Sequence, residues 1–474
     1  MSKGQAVTFE TIVDADPLLD KITGALVGAA IADAMGWVTE FMRSPAQLKQ
    51  RFQVDELKEF VTWGKTTGGR FNAYIDYIQK GEYSDDTQLT LCTARSAKPD
   101  GTCDVDYFAK QELPDWLSYA RGAGATITAA AKAISRKKVR WNSNYFRTSG
   151  RRALDYRQAG ANGAAMRISP LVLANPSSFE TAEAEILRNA VVTHGHPRAL
   201  LGAVLIGKAL WCVLRDDESL SMRQLLDDLT DTVVHLTDAS ISQWTEGWVQ
   251  SWNRGGPAQF SDELAQTKGE VLELLKVLST SREMPLADMY RQLGCLDRKT
   301  KGSGTSTAAA AIGLFLRYGG NFEKLVVSAV NMIGSDTDTI AAMAANLAGA
   351  RCGYTEIPER WAAQLQDLSY LLHVGNYLHR VATRTSEGRE LRFDPSVFGE
   401  KNLPGVTQLL KRGQINQGQR VAHELLGPGW VQTANMQAVR RRGGGNMIFA
   451  EIVFDMGQKC KFRAHIPSQT KSSV

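Results

Sequence analysis

Gly334-Ser335-Asp336-Thr337-Asp338-Thr339-Ile340-Ala341-Ala342-Met343-Ala344-Ala345-Asn346-Leu347-Ala348 joins an acid-rich start to a run of strong helix formers without Pro or Gly. A second stretch has the same grammar about 250 residues earlier, where Ser84-Asp85-Asp86-Thr87 leads into Gln88-Leu89-Thr90-Leu91-Cys92-Thr93-Ala94-Arg95. Ser, Asp and Thr are favoured helix N-caps, because a side-chain oxygen accepts a bond from an orphaned backbone N–H. Capping needs one such residue per helix, however, and each start here carries two carboxylates, whose repulsion is costly without a cation or strong donors. Four carboxylates and several hydroxyls form an all-oxygen set that suits a hard divalent cation such as Mg2+ or Mn2+.

Working outward, residues 22–36, 181–215, 222–236, 305–318, 322–333 and 339–350 place apolar side chains at helical spacing, while strand alternation is scarce before residue 440. The core is therefore expected to be all-α. Ala-rich stretches such as 307–312 and 341–345 put small side chains on several faces, which lets neighbouring helices approach closely. Trp244, Trp248 and Trp252 recur at every fourth position as one helical stripe, whose expected role is core packing.

The tail changes character. From Pro395 to Val474 there are 11 Lys or Arg against 4 Asp or Glu, a net of +7 in a chain whose total is +5. The first 394 residues are thus about −2. Residues 446–454 and 460–466 alternate like strands, and Gly427-Pro428-Gly429-Trp430 and 440–446 read as turns. The organisation expected is an N-terminal extension over 1–20, a helical domain over 21–385 and a small, basic, β-rich C-terminal domain over 395–474. The basic tail offers a contact for nucleic acid, a pyrophosphate or an acidic protein. A second basic cluster, Arg136 to Arg140 with Arg147, Arg151, Arg152 and Arg157, reads by default as a solvated face.

Composition fits a large globular protein, 43% hydrophobic and 22% charged over 474 residues. No apolar run of about 18 residues reads as a membrane span, and Met1-Ser2-Lys3-Gly4-Gln5 lacks a signal-peptide core, so a cytoplasmic location without membrane contact is expected. The six cysteines are scattered with no C-x-x-C pair, which points to buried thiols rather than zinc or disulfides.

Six motifs then fall in a telling order: Gly28-Ala29-Ala30-Ile31-Ala32-Asp33-Ala34-Met35-Gly36, Glu40-Phe41, the Ser84 segment, Asn162-Gly163-Ala164-Ala165-Met166-Arg167, Thr193-His194-Gly195-His196-Pro197, and the Gly334 segment. Over roughly residues 20 to 375 the chain resembles the ADP-ribosylglycohydrolase family. The resemblance implies that family's compact helical fold and two divalent cations, Mg2+ or Mn2+. Their expected ligands are Ser84, Asp85 and Asp86 on one side and Asp336, Asp338 and Thr339 on the other. It also implies hydrolysis of the glycosidic bond that joins the distal ribose of ADP-ribose to a modified protein or nucleic acid. Glu40, Asp85 and Asp338 are the candidates for acid/base work, and the sequence does not choose among them. Asn162, Gly163, Met166, His194 and His196 match the family's substrate cleft. Gly302 and Ser303 stand where the family often has Gly-Tyr, and Ser84 where it commonly has Thr. A different reading is a binding protein of the same fold that captures ADP-ribosylated targets, or that neutralises an ADP-ribosylating toxin by occluding its active site. A metal-dependent phosphoesterase is the enzymatic alternative.

Overall fold

A computed structural model describes residues 16–67, 74–150, 153–216, 220–388, 390–394, 402–438 and 445–466. Residues 1–15, Arg151, Arg152 and the arginine run 440–442 lie outside these, and with them most of the expected N-terminal extension and the basic turn of the tail.

The helices that matter for the site are α1 (Pro17–Glu40), α2 (Asp85–Ser96), α3 (Pro197–Arg215), α4 (Gly304–Tyr318), α5 (Thr337–Cys352) and α6 (Leu368–Ala382). Helix α1 starts at Asp16, whose carboxylate accepts the Leu18 N–H at 2.8 Å, with Pro17 at the first helical position. Its hydrophobic residues cover all sides rather than one stripe, so it is buried throughout, and the same holds for α5. These two form the centre of the molecule. They pack backbone to backbone: a Cβ on Gly24 would lie 2.3 Å from the Gly349 carbonyl oxygen, and one on Gly349 would lie 2.0 Å from that of Gly24. Asn346 Nδ2 then donates to the Ala25 carbonyl at 3.1 Å. Helix α4 meets α3 in the same way, with Gly202 against Gly304.

Two apolar helices, α1 and α3, do reach the length and hydropathy of a membrane span, contrary to the expectation from sequence. Their apolar windows are 94% and 83% buried inside the protein, which is how a large helical core uses such segments.

Two antiparallel sheets accompany the helices. Strands β1 (Trp63–Thr67) and β2 (Tyr74–Ile78) form a hairpin before α2, in a region the sequence reading left without strands. Its signal was short: Tyr74, Asp76 and Ile78 alternate inward against exposed Ile75 and Tyr77. Strands β3 (Arg420–His423), β4 (Gly427–Ala438), β5 (Asn446–Phe454) and β6 (Lys459–Ile466) make the expected C-terminal sheet in sequential order. Ile448, Ala450, Ile452 and Phe454 of β5, with Cys460 and Phe462 of β6, point into the same hydrophobic core as Leu26 and Trp37 of α1. Phe462 packs against Tyr119 at 5.6 Å between rings.

Three local readings are corrected. The stretch 181–215 is two helices, Phe179–Val191 and α3, because Gly195 and the residues beside it form a loop. The Trp stripe is broken between Trp244 and Trp248 by Glu246 and Gly247, both at positive φ. Trp248 and Trp252 are nonetheless core residues, and Trp252 Nε1 donates to the Gly195 carbonyl at 2.8 Å. Gly427 to Trp430 opens β4 instead of turning; Pro428 sits at the strand's start, where its missing N–H costs little.

Among the basic residues of 136–157, Arg147 pairs with Asp155 at 2.6 Å, and Arg157 bonds the Trp252 carbonyl while lying 4.5 Å above Tyr145. Five of the six cysteines are buried and Cys352 is half-buried.

Candidate functional site

The close packing of α1 on α5 brings Asp33 of the first helix to the acid-rich start of the second. Asp33 is fully buried and clamps the start of α2: it accepts the Ser84 N–H at 3.1 Å, the Thr87 N–H at 3.0 Å and the Thr87 hydroxyl at 2.6 Å. Asp86 accepts the Thr339 hydroxyl at 3.1 and 3.2 Å, a direct bond between the two distant acid segments. Asp338 accepts the Thr339 N–H at 2.9 Å, and Asn162 Nδ2 donates to Asp336 at 3.0 Å.

The carboxylates fall into two triads with one member in common. Asp33, Asp86 and Asp338 can each bring a ligand oxygen within 4.8 Å of the others, and so can Glu40, Asp336 and Asp338. Such a shared carboxylate suits two neighbouring cations. Burial is the main cause that pushes the Asp86 and Asp338 carboxyls well above the usual range, and neighbouring carboxylates add to it. Asp85 is raised to about 7 by burial and then by Asp33; Glu40 is raised to about 8 by burial and then by Asp336. Lys65 of β1 is the cation that partly offsets both. It lies 3.8 Å above the Phe41 ring and 5.3 Å from that of Trp37.

A cavity of about 160 Å³ opens onto this set. Glu40, Asp85, Asp86, Asp336, Asp338 and Thr339 line one part, and Asn162, Gly163, Met166 and His194 another. A Cβ on Gly163 would come within 2.5 Å of the Ile127 side chain and 3.0 Å of the His194 ring, so this loop closes tightly on the cleft. His194 is fully buried, its Nδ1 lies 2.7 Å from the Thr193 hydroxyl, and its Nε2 has no hydrogen-bond partner among the described residues. Burial, then Arg167, pushes it down to about 3, so the ring is neutral and Nε2 is free for a ligand.

Four of the expected residues stand behind the cavity instead of lining it. Ser84 Oγ accepts the Asp86 N–H at 3.2 Å and caps α2. His196 caps α3 by accepting the Arg198 N–H on Nδ1 at 3.1 Å, and its Nε2 lies 3.6 Å from Glu263. The Gly302 carbonyl accepts the Asn162 N–H at 3.0 Å, and a Cβ on Gly302 would stand 3.3 Å from Asp336. Ser303 pairs with Ala161 as an isolated bridge and precedes α4. Sequence reasoning did not assign Asp33, although it lies inside the quoted Gly28–Gly36 motif; nor did it assign Lys65 or the loop 121–124.

Known proteins resemble this chain over most of its length. The family model described as ADP-ribosylglycohydrolase matches residues 14–393. ADP-ribosylarginine hydrolase Tri1 of Serratia proteamaculans is 24% identical over 365 residues, covering 77% of this chain and 80% of the relative. ADP-ribosyl-[dinitrogen reductase] glycohydrolase of Rhodospirillum rubrum is 24% identical over 347 residues, covering 73% and 90%. A solved structure described as an ADP-ribosylglycohydrolase-related protein complex superposes with a TM-score of 0.51 at 22% identity, covering 77% of this chain and 99% of that one. With the ordered motifs folded around one acidic cleft and a match spanning most of the sequence, this chain belongs to the ADP-ribosylglycohydrolase family.

Proposed function

We propose that this protein is a divalent-metal-dependent hydrolase that releases ADP-ribose from a modified macromolecule by cutting the glycosidic bond at the distal ribose. The observation that carries this reading is the pair of carboxylate triads sharing Asp338 beside the cleft. The names of the relatives support ADP-ribosyl chemistry, and the donor set fits the cations: it is all oxygen, mostly buried and mutually repulsive. Asp33, Asp86, Asp336, Asp338 and Thr339 would hold two ions, Mg2+ or Mn2+, and Glu40 beside them stays free for the reaction. Bound there, they supply a Lewis-acidic grip on ribose hydroxyls and a lowered pKa for a nearby water.

The chain's own residues provide the rest. Asn162 holds Asp336 in place, and Asp33 holds the start of α2, so the acids are aimed before substrate arrives. His194 Nε2 can bond a hydroxyl of the bound sugar, and the Gly163 loop admits it closely. The carboxylates around the cleft stabilise positive charge that develops at the anomeric carbon. Glu40, which lines the cavity beside Asp336 and Asp338, is assigned the proton transfer; Asp85 is the second candidate.

The test is release of labelled ADP-ribose from arginine-, serine- and nucleic-acid-linked substrates with Mg2+, with chelator and with Asp338→Ala. Metal-dependent release lost in the variant supports hydrolysis and names the linkage. Release of AMP instead would identify a phosphoesterase, and tight ADP-ribose binding without release a capture protein.

A further inference from the structure

The family match ends at residue 393, yet the sheet that follows is wired into the acid site. Asp85 stands at the start of α2 with the loop 121–124 wrapped over it. Gly122 and Gly124 line the cavity with Asp85, and a Cβ on Gly122 would stand 2.6 Å from Asp85 Oδ1 and 3.2 Å from Trp37 Nε1. Gly122 has φ +89°, so the loop holds a shape that other residues resist.

Arg121 anchors that loop. Its backbone N–H donates to Gln88 Oε1 at 3.1 Å, one turn along α2 from Asp85. Its buried guanidinium pairs with Glu82 at 2.7 Å and Asp76 at 3.2 Å and lies 5.4 Å from the Trp37 ring. One arginine facing two buried acids leaves a charge uncompensated. The deficit is made good from β6: Lys459 Nζ lies 2.9 Å from Glu82, and Lys461 Nζ lies 2.9 Å from Asp76. Lys459 is itself held by its backbone N–H to Asp367 at 2.9 Å.

The far end of α2 is tied to the same sheet. Arg95, fully buried, pairs with Glu112 at 2.7 Å and donates to Gln458 Oε1 at 2.8 Å in the turn between β5 and β6. The helix that presents Asp85 and Asp86 is thus gripped at both ends by one C-terminal segment.

We propose that Lys459 and Lys461 are positioning residues for the active site, acting through Glu82, Asp76 and Arg121 to hold the loop 121–124 against Asp85. The C-terminal sheet is then a working part of the catalytic centre. The effect on turnover rests on the hydrolase reading above; the effect on the loop does not.

The test compares full-length Lys459→Met, Lys461→Met with wild type by amide hydrogen exchange and by steady-state ADP-ribose release. Removing both cations leaves two buried acids sharing one arginine, and local opening of the loop becomes easier. Exchange at 121–124 is expected to speed up about tenfold or more while that of α5 stays unchanged. The kcat is expected to fall about 10- to 100-fold, with KM within about twofold. Lys459→Arg, Lys461→Arg is expected to restore both readouts, which a loss of general stability would not explain. Unchanged exchange at 121–124 in the folded Met variant overturns the proposal. If that variant does not fold, Lys461→Gln alone, which leaves the Lys459–Glu82 pair, is read the same way. Wild-type protein that cuts no substrate would sink the hydrolase reading, and the exchange data would still decide this one.

Discussion

Gly36 of α1 and Asp338 of α5 meet backbone to backbone, so that a Cβ on Gly36 would stand 2.6 Å from the Asp338 Cα. The contact is stitched by hydroxyls: Thr337 Oγ1 donates to the Gly36 carbonyl at 2.9 Å, and Thr39 Oγ1 donates to Thr337 Oγ1 at 3.0 Å. Glycine at this point lets the carboxylate shared by the two triads approach the end of α1 that carries Glu40. Gly36→Ala is expected to cost about 1–3 kcal/mol in chemical denaturation, the usual range for overpacking a tight core. Gly269→Ala is the control. A Cβ there meets nothing within 4 Å, and the change is expected to stabilise its helix by up to about 1 kcal/mol.

The buried acids raise one another's pKa values, and the proposed cations would relieve that repulsion. Under the proposed metal dependence, Mg2+ is expected to raise the Tm of the chelated wild type, because a cation held by the folded acid cluster would have no such site in the unfolded chain. Asp338→Asn removes a carboxylate that burial and then Glu40 already hold well above the usual range. In chelator this variant is expected to melt a few degrees higher than wild type, and to lose the response to Mg2+. A lower Tm in chelator would contradict the repulsion argument.

Asn162 lines the cavity and donates to Asp336. Asn162→Ala frees that side chain without altering the charge. Mg2+ or Mn2+ affinity by calorimetry is expected to fall about 10- to 100-fold, as for other changes to residues that orient a ligand.

Glu82 gives the network beneath Asp85 a pH signature. Burial alone would raise its pKa, but Arg121 and Lys459 overcome that and hold it at about 2, below the ordinary 4.5. A depressed folded-state value means the stabilisation is full above about pH 4.5 and is lost as pH falls toward about 2. Glu82→Gln is expected to be less stable than wild type at neutral pH, with the gap narrowing through that acid window in pH-dependent unfolding.

Arg95 and Glu112 form an ion pair with almost no solvent contact. Arg95→Met is expected to cost about 3–5 kcal/mol, since it strands a buried carboxylate. The double variant Arg95→Met, Glu112→Met is expected to be more stable than the single one. Urea unfolding of the full cycle measures the coupling.

Much of the helical body was legible, in the apolar spacing of α3 and α4 and in the continuous runs of small and apolar residues of α1 and α5, which are buried on all sides. The hairpin at 63–78 was not, since its strands are five residues each and alternate over too short a span. The acids at 85, 86, 336 and 338 were equally legible, because two carboxylates at one helix start exceed what capping needs.

What the sequence by itself determined, then, was the presence of two acid-bearing helix starts, the apolar helices behind them and the alternation of the last strands. Each is a relation between residues close in the chain. Only the tertiary structure decided that Asp33 joins Asp86 and Asp338, and that Lys459 and Lys461 reach Glu82 and Asp76. Those outcomes depend on how closely α1 approaches α5 and where β6 docks. Such contacts join segments far apart in the chain, and no local pattern encodes which side chains they bring face to face.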